Sequence, residues 1–264
     1  MRCDFVVALR KIRAGNREEH RFHIRQGIEG EGMLKGAMAG ILLRGLIAIS
    51  LAGAMSNLAS AQGRRDGEPG QFDFYVLSLS WSPSFCAAAA ERGRGRPPTL
   101  QCAARPFSFV VHGLWPQYDR GFPENCQVPA PRLDHRIVDA MLDLMPAPRL
   151  VYNEWDKHGT CSGLSARDYF ATIRKARSAV AIPADYVGLQ KPLSVSPDAV
   201  EDAFIKANPG LAKGDVAVSC DRRRLTEIRV CLSKDLKFRA CPQVVKRSCR
   251  NDNIVMPPVR GGPG

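Results

Sequence analysis

Apolar residues alternate with small or polar residues along several short segments of the chain, which is the period of a β-strand with one buried face. The first segment, residues 72–81 (FDFYVLSLSW), ends before Pro83. Residues 107–111 (FSFVV) form a shorter apolar run, and we expect the functional cleft at its end, where His112 follows. Three further segments within 214–242, DVAVSC, LTEIRVCL and LKFRAC, predict an antiparallel meander.

The middle of the chain instead has apolar residues at helical spacing. Residues 134–145 predict a helix with Asp134 as its N-cap and Pro146 as its stop. Further helices are predicted over 152–160, 166–180 and, after the N-cap Ser196, 197–207. Strands at both ends with helices between them predict the α+β class, a single domain with a twisted antiparallel β-sheet flanked by α-helices.

The N-terminal region has the composition of a secretory signal peptide. Lys35 and Arg44 precede an apolar run over 45–55, and Ala59-Ser60-Ala61 has the small residues of a cleavage site. The run is shorter than the ~20 residues that cross a bilayer, so no permanent membrane anchor is expected. The sequence predicts a secreted or periplasmic protein after cleavage near Ala61.

The charged, unpatterned residues ahead of this segment make Met33 or Met38 the expected start of the protein. We therefore divide the chain into an N-terminal extension and signal peptide (1–61), a polar leader (62–70), a catalytic domain (71–250) and a loose C-terminal tail (251–264).

Charge and cysteine content narrow the class of protein further. The net charge is +12, and removal of residues 1–61, with nine Lys/Arg and five Asp/Glu, leaves about +8. This excess favours polyanionic partners such as nucleic acid. Eight of the nine cysteines lie after residue 61. An even number of cysteines in an exported chain predicts disulfides, in one of 105 possible pairings. A zinc site would need CxxC pairs, and the sequence has none.

The segment NEWDKHGTC (153–161) carries the chemistry. If it is helical, Glu154, Lys157 and His158 share one face. His112 supplies a second imidazole, and a pair of imidazoles can hold one neutral and one protonated ring at weakly acidic pH. That pair suits general base and general acid catalysis, with Glu154 orienting His158 and Lys157 neutralising charge on a phosphate.

At this point the two segments FVVHGLWPQ (109–117) and NEWDKHGTC resemble the active-site segments of the ribonuclease T2 family of secreted, base-nonspecific ribonucleases, and FYVLSLSWSPSFC (74–86) resembles its first strand. The resemblance implies a metal-independent endoribonuclease without cofactor. It would cleave single-stranded RNA through 2′,3′-cyclic phosphates, which are hydrolysed more slowly to 3′-phosphates. By position, His158 is the base and His112 the acid, although the sequence also permits the reverse, and Glu154 and Lys157 stabilise the phosphorane.

The resemblance also implies substrate-binding residues and disulfides. Trp115 stacks on a base or packs in the core, two interpretations that the sequence leaves open, and Gln117 lies near the base. Asn153 stands where many relatives carry a third histidine, so weaker phosphate binding or a shifted pH optimum is expected. The cysteine order of the family implies Cys126–Cys161, Cys220–Cys249 and Cys231–Cys241, which leaves Cys86–Cys102.

Two other functions compete with this interpretation. A metal-dependent phosphodiesterase or peptidase would use His112, Glu154 and His158 as ligands, but NEWDKH is not HExxH and Lys157 would repel the cation. A basic RNA-binding module without catalysis would keep only the scaffold. We expect an enzyme that acts as a monomer on single-stranded RNA, with no metal.

Overall fold

The alternating segments form a four-stranded antiparallel sheet in the computed structural model, which describes residues 67–93 and 100–259, the side chain of Ala104 excepted. The predicted signal peptide lies outside the described residues. The strands are β1 (Phe74–Trp81), β2 (Phe109–Gln117), β3 (Leu193–Val195), β4 (Val216–Cys220), β5 (Leu225–Leu232) and β6 (Ile254–Met256). The sheet has the order β2-β1-β5-β4, and β3 pairs with β6 in a separate two-stranded ladder.

The two faces of β1 have different compositions, and this difference positions the site. Leu77, Leu79 and Trp81 are fully buried in the main core, which packs against helices. The alternate positions carry the small polar residues Ser78 and Ser80. Because successive side chains of a strand point to opposite faces, one face of the sheet is apolar and the other leaves room for polar side chains from neighbouring strands.

The predicted helices are present with shifted ends. Asp134 and Ser196 are N-caps, since their side chains accept hydrogen bonds from the backbone N–H groups of Arg136 and Ala199. The helices are α1 (Ser82–Arg92), α2 (His135–Met141), α3 (Pro148–Lys157), α4 (Ala166–Ser178), α5 (Ala184–Val187), α6 (Pro197–Ala207) and α7 (Pro242–Val245), with a π-helical turn over Leu100–Ala104 and 3-10 turns over Gly159–Ser162 and Lys213–Asp215. The predicted α+β class is confirmed.

Two sequence predictions about the C-terminal third are wrong. The third segment of the meander forms only one isolated bridge, between Phe238 and Leu232. At its end the N–H of Cys241 bonds to the carbonyl of Gly214 at 2.9 Å and does not extend the ladder, although the Cys231–Cys241 disulfide keeps this end beside β5. The prediction of a loose tail is also wrong within residues 251–259, where β6 pairs with β3 and Met256 is completely buried; residues 260–264 lie outside the described residues.

All four predicted disulfides are confirmed. The bridges join Cys86 to Cys102, Cys126 to Cys161, Cys220 to Cys249 and Cys231 to Cys241. The second bridge anchors the turn that follows α3, and the fourth ties α7 to β5.

Within 67–93 and 100–259, none of the helices combines the length and the apolar composition needed to span a bilayer.

Candidate active site

His112 occupies a β-bulge in the middle of β2. Ser78 of β1 pairs with Gly113 and Leu79 pairs with Val111, so His112 is an extra residue without a partner on β1. A bulge adds one residue to a strand and re-aims its side chain. The prediction that the strand ends before His112 is therefore wrong: β2 continues through Gln117, and the cleft opens across the polar face of the sheet.

The helix α3 brings the second set of residues to this face. Glu154, Lys157 and His158 all line the same cleft as His112, as their helical spacing predicts. The helix ends at Lys157, and the Cys126–Cys161 bridge fixes the turn after His158. Covalent anchoring so close to His158 restricts the position of its ring.

The cleft has a volume of about 320 Å³. The predicted residues Trp115 and Gln117 also line it, whereas Asn153 is exposed on α3 and is not part of its wall. Phe122, which is 45% exposed, offers an aromatic surface inside the cleft. The remaining lining residues are Val76, Gly121, Arg229, Gln243, Val244 and Arg247.

His112 lies between two carboxylates. Its Nδ1 is 2.5 Å from Oε1 of Glu227 on β5, and its Nε2 is 3.6 Å from Oε1 of Glu154. Burial disfavours the charged imidazole, but the hydrogen bond and charge of Glu227, assisted by Glu154, outweigh burial and raise the pKa of His112. His112 is therefore held in its protonated form more strongly than a free histidine.

Sequence reasoning missed Glu227 and its partner Arg229. Both lie on the central strand β5, and the guanidinium of Arg229 binds Oε2 of Glu227 through Nε at 3.1 Å and Nη2 at 2.9 Å. Burial would raise the pKa of Glu227, but its hydrogen bond to His112 and the two neighbouring positive charges lower it to about 2. Two charged residues at alternate positions of an otherwise apolar central strand were the signal in the sequence.

Glu154 makes its closest contact with the other motif. Its Oε2 accepts a hydrogen bond of 2.7 Å from Nε1 of Trp115, and the residue is only 5% exposed. Burial raises the pKa of Glu154 to about 7, although His112, Trp115 and Lys157 oppose the shift. The prediction that Glu154 orients the ring of His158 is wrong, because its carboxylate lies against Trp115 and His112.

His158 has the opposite environment to His112. The residue is 7% exposed, and its buried Nδ1 has no hydrogen-bond partner among the described residues. Burial, together with the positive charges of Lys157 and His112, lowers the pKa of His158 to about 3. The ring is therefore neutral at any moderately acidic or neutral pH. Lys157 itself pairs with Glu124 at 3.2 Å at the solvent-exposed edge.

Trp115 lies between the two imidazoles. Its ring centroid is 5.2 Å from that of His112 and 5.4 Å from that of His158, and the guanidinium of Arg229 lies 5.3 Å from its centroid. The half-buried indole thus spaces the two histidines and holds Glu154 through its N–H. Trp115 is neither a plain core residue nor a freely exposed stacking surface.

Metal ligands are not grouped at this site. Across 67–93 and 100–259, no three His, Cys, Asp or Glu side chains are arranged to hold a metal ion.

Known proteins share both the sequence and the fold. The model of the ribonuclease T2 family matches residues 72–241. The ribonuclease of Aeromonas hydrophila is 36% identical over 177 residues, which are 64% of this chain and 75% of that protein. A probable ribonuclease of Haemophilus influenzae is 37% identical over 120 residues, 42% of this chain and 44% of that protein.

Solved structures share the fold of this chain. The RNase-related protein from Calystegia sepium superposes with a TM-score of 0.56 at 19% identity, covering 72% of this chain and 98% of that protein. RNase NT in complex with 5′-AMP superposes with a TM-score of 0.50 at 25% identity, covering 71% and 98%. The matched region contains both segments that line the cleft, so the resemblance drawn from the sequence is confirmed. The chain belongs to the ribonuclease T2 family of RNA-cleaving enzymes.

Proposed function

We propose that this enzyme cleaves single-stranded RNA with low base specificity, by attack of the ribose 2′-hydroxyl on the adjacent phosphorus. The observation that carries the proposal is the arrangement of two imidazoles on either side of Trp115 in one cleft, His112 against the carboxylate of Glu227 and His158 buried beside Lys157. These surroundings favour the charged form of His112 and the neutral form of His158. Transesterification needs one group that accepts a proton and another that donates one.

In the first step neutral His158 takes the proton of the 2′-hydroxyl as the new O2′–P bond forms. Protonated His112 gives its proton to the 5′-oxygen as the P–O5′ bond breaks. The products are a 2′,3′-cyclic phosphate and a free 5′-hydroxyl, and the two histidines have exchanged protonation states. In the slower second step His112 takes a proton from water and His158 returns one to the 2′-oxygen, which leaves a 3′-phosphate.

Lys157 and Glu154 stabilise the phosphorane. Lys157 brings a positive charge to the non-bridging oxygens. Glu154, whose pKa of about 7 leaves it partly protonated at neutral pH, can donate a hydrogen bond to the same oxygens when protonated. Asn153, which stands where many relatives carry a histidine, is exposed outside the cleft wall, so the weaker phosphate binding expected from its amide stays a prediction.

Low base specificity is supported by the chemistry of the cleft wall. Phe122 presents an exposed ring, and stacking on an aromatic ring tolerates any base. Gln117 is buried at the wall and already donates to the carbonyl of Pro116 at 3.1 Å. Trp115, whose N–H is bound to Glu154, contributes mainly by holding that carboxyl group.

We also propose that the enzyme is exported and acts as a monomer. Four disulfides within one chain are typical of proteins that fold in an oxidising compartment. Together with the sequence pattern around Ala61, they support a secreted or periplasmic enzyme released by signal-peptide cleavage.

The proposal is tested by incubating the purified mature protein with a set of dinucleoside phosphates in excess EDTA and identifying the products. We expect cleavage of most members, with 2′,3′-cyclic phosphates appearing before 3′-phosphates. The matched control is the double variant His112→Ala with His158→Ala, which should yield neither product. Loss of activity in EDTA would favour the metal-dependent alternative, and RNA binding without cleavage would favour the inactive module.

A further inference from the structure

Glu227, which contacts His112, lies outside the two motif segments. Glu227 is on β5, which is separated from the His112 strand by β1. Its carboxyl group is nevertheless 2.5 Å from Nδ1 of His112, and the residue is only 9% exposed. A buried charge is costly unless it is paired, so this carboxylate has a specific partner rather than a solvated one.

Small side chains on β1 make the contact possible. Ser80 pairs with Glu227 and Ser78 pairs with Arg229 in the ladder between β1 and β5. Larger residues at these two positions would fill the space above β1, through which Glu227 reaches His112. The hydroxyl of Ser80 is itself 3.5 Å from Oε1 of Glu227. The alternation of β1 is therefore part of the site.

The second oxygen of Glu227 is fixed independently of His112. Arg229 binds Oε2 through two nitrogens, and its guanidinium also lies 5.3 Å from the ring of Trp115. Both contacts are charge-assisted hydrogen bonds, which are stronger than hydrogen bonds between neutral groups. Glu227 thus has one oxygen for Arg229 and one for His112, and it has little freedom to rotate.

We propose that Glu227 and Arg229 are a positioning pair for His112: Glu227 fixes the imidazole ring and favours its protonated form for proton donation, and Arg229 fixes Glu227. Glu227 holds Nδ1–H, which leaves Nε2 to face the cleft, as when a carboxylate orients a catalytic histidine. Arg229 keeps Glu227 ionised and in place. The pair acts through His112 rather than on the reacting atoms, and the inference rests on the proposed role of His112 as proton donor.

The charged groups around His112 give the two members of the pair opposite effects on its titration. Glu227 and Glu154 raise the pKa of His112, whereas burial and the positive charge of Arg229 lower it. His158 and Lys157 lie further along the cleft on the α3 side. Removing Glu227 should therefore shift the titration of His112 to lower pH, and removing Arg229 should shift it to higher pH.

The experiment compares kcat/KM–pH profiles of Glu227→Gln and Arg229→Met with the unmodified enzyme on a dinucleoside phosphate. For Glu227→Gln we expect the alkaline limb to move down by about one pH unit, which is a tenfold lower rate above the limb. For Arg229→Met we expect a lower kcat with the limb at higher pH. A merely structural pair would lower activity in both variants without opposite shifts, and that result would overturn the proposal.

Glu201→Gln is the matched control. Glu201 is also a buried carboxylate, bonded to Ser248 and to the N–H of Val218, and none of these residues lines the cleft. Its replacement should leave the pH profile unchanged, whatever it does to stability.

The titration of His112 is also read directly by NMR of the imidazole, which needs no substrate. A midpoint that falls in Glu227→Gln supports the positioning pair even if the unmodified protein cleaves no RNA. An unchanged midpoint refutes it even if RNA is cleaved. The inference and the proposed function can therefore fail separately.

Discussion

The regions around His112 and His158 surround the same type of side chain with environments that favour opposite protonation states. His112 sits on a bulged strand between two carboxylates, and its positive charge is favoured. His158 sits at the end of a helix, buried, beside Lys157 and without an acceptor for Nδ1 among the described residues. The surroundings alone therefore give two imidazoles of equal intrinsic pKa different pKa values in the folded protein.

The difference indicates how the roles of acid and base are distributed. A proton donor must be charged before the reaction and a proton acceptor must be neutral. The sequence alone left the two assignments interchangeable. The surroundings favour His112 as donor and His158 as acceptor for the first step.

The largest expected effect separates donor from acceptor by the leaving group. Both His112→Ala and His158→Ala should reduce RNA cleavage by on the order of 10²–10⁴-fold. On uridine 3′-(4-nitrophenyl phosphate), whose leaving group departs without a proton, His112→Ala should regain most of its rate and His158→Ala should not. Initial rates on both substrates measure this. Rescue of His158→Ala instead would reverse the assignment.

A second prediction concerns Glu154, which belongs to the helix of His158 but lies against His112. Its pKa rises from 4.5 to about 7 on folding. Between these values the unfolded chain loses a proton that the folded chain keeps, so this group lowers stability as pH rises from 4.5 to 7. Glu154→Gln should therefore gain stability relative to the unmodified protein across this window, by up to about 3 kcal/mol.

Urea unfolding of both proteins at several pH values tests the prediction about Glu154. A difference in unfolding free energy that stays constant with pH would show that Glu154 ionises normally in the folded protein.

The smallest effect concerns the acid limb of activity. The positive charge of Lys157 contributes to the low pKa of His158, after burial. Lys157→Gln should therefore move the acid limb of the kcat/KM profile to higher pH, by less than about one unit because burial remains. Its overall rate falls as well, so the position of the limb is the quantity to compare. Lys213→Gln, which removes an exposed lysine paired with Asp202 outside the cleft, is the control and should leave the limb in place.

Periodicity was sufficient to predict most of the fold. The alternation in β1 and β5 and the caps Asp134 and Ser196 are local signals, and the structure follows them. The prediction of the third meander strand failed because the backbone N–H of Cys241 bonds to the carbonyl of Gly214 and does not extend the ladder with β5, and this contact is not visible in local periodicity. The pairing of β6 with β3 was not predicted because it too is invisible in local periodicity: it joins residues about sixty positions apart.

The site was predictable as far as the motifs extend. His112, Glu154, Lys157 and His158 are brought together in one cleft as expected. The partners of their side chains were not predictable, because the register of the sheet determines that Glu227 lies opposite Ser80 and within reach of a bulged residue. Helical spacing suggested an interaction between Glu154 and His158, but tertiary packing gives that carboxyl group to Trp115.

Gly113, next to the bulge, has a consequence for how the two segments depend on each other. A Cβ at this position would overlap Oε2 of Glu154 and Nε1 of Trp115. The missing side chain is the socket that receives the glutamate of the other segment. Any residue larger than glycine at position 113 would push the carboxyl group of Glu154 away from the indole of Trp115. A substitution on β2 is therefore expected to disrupt the α3 side of the cleft as well.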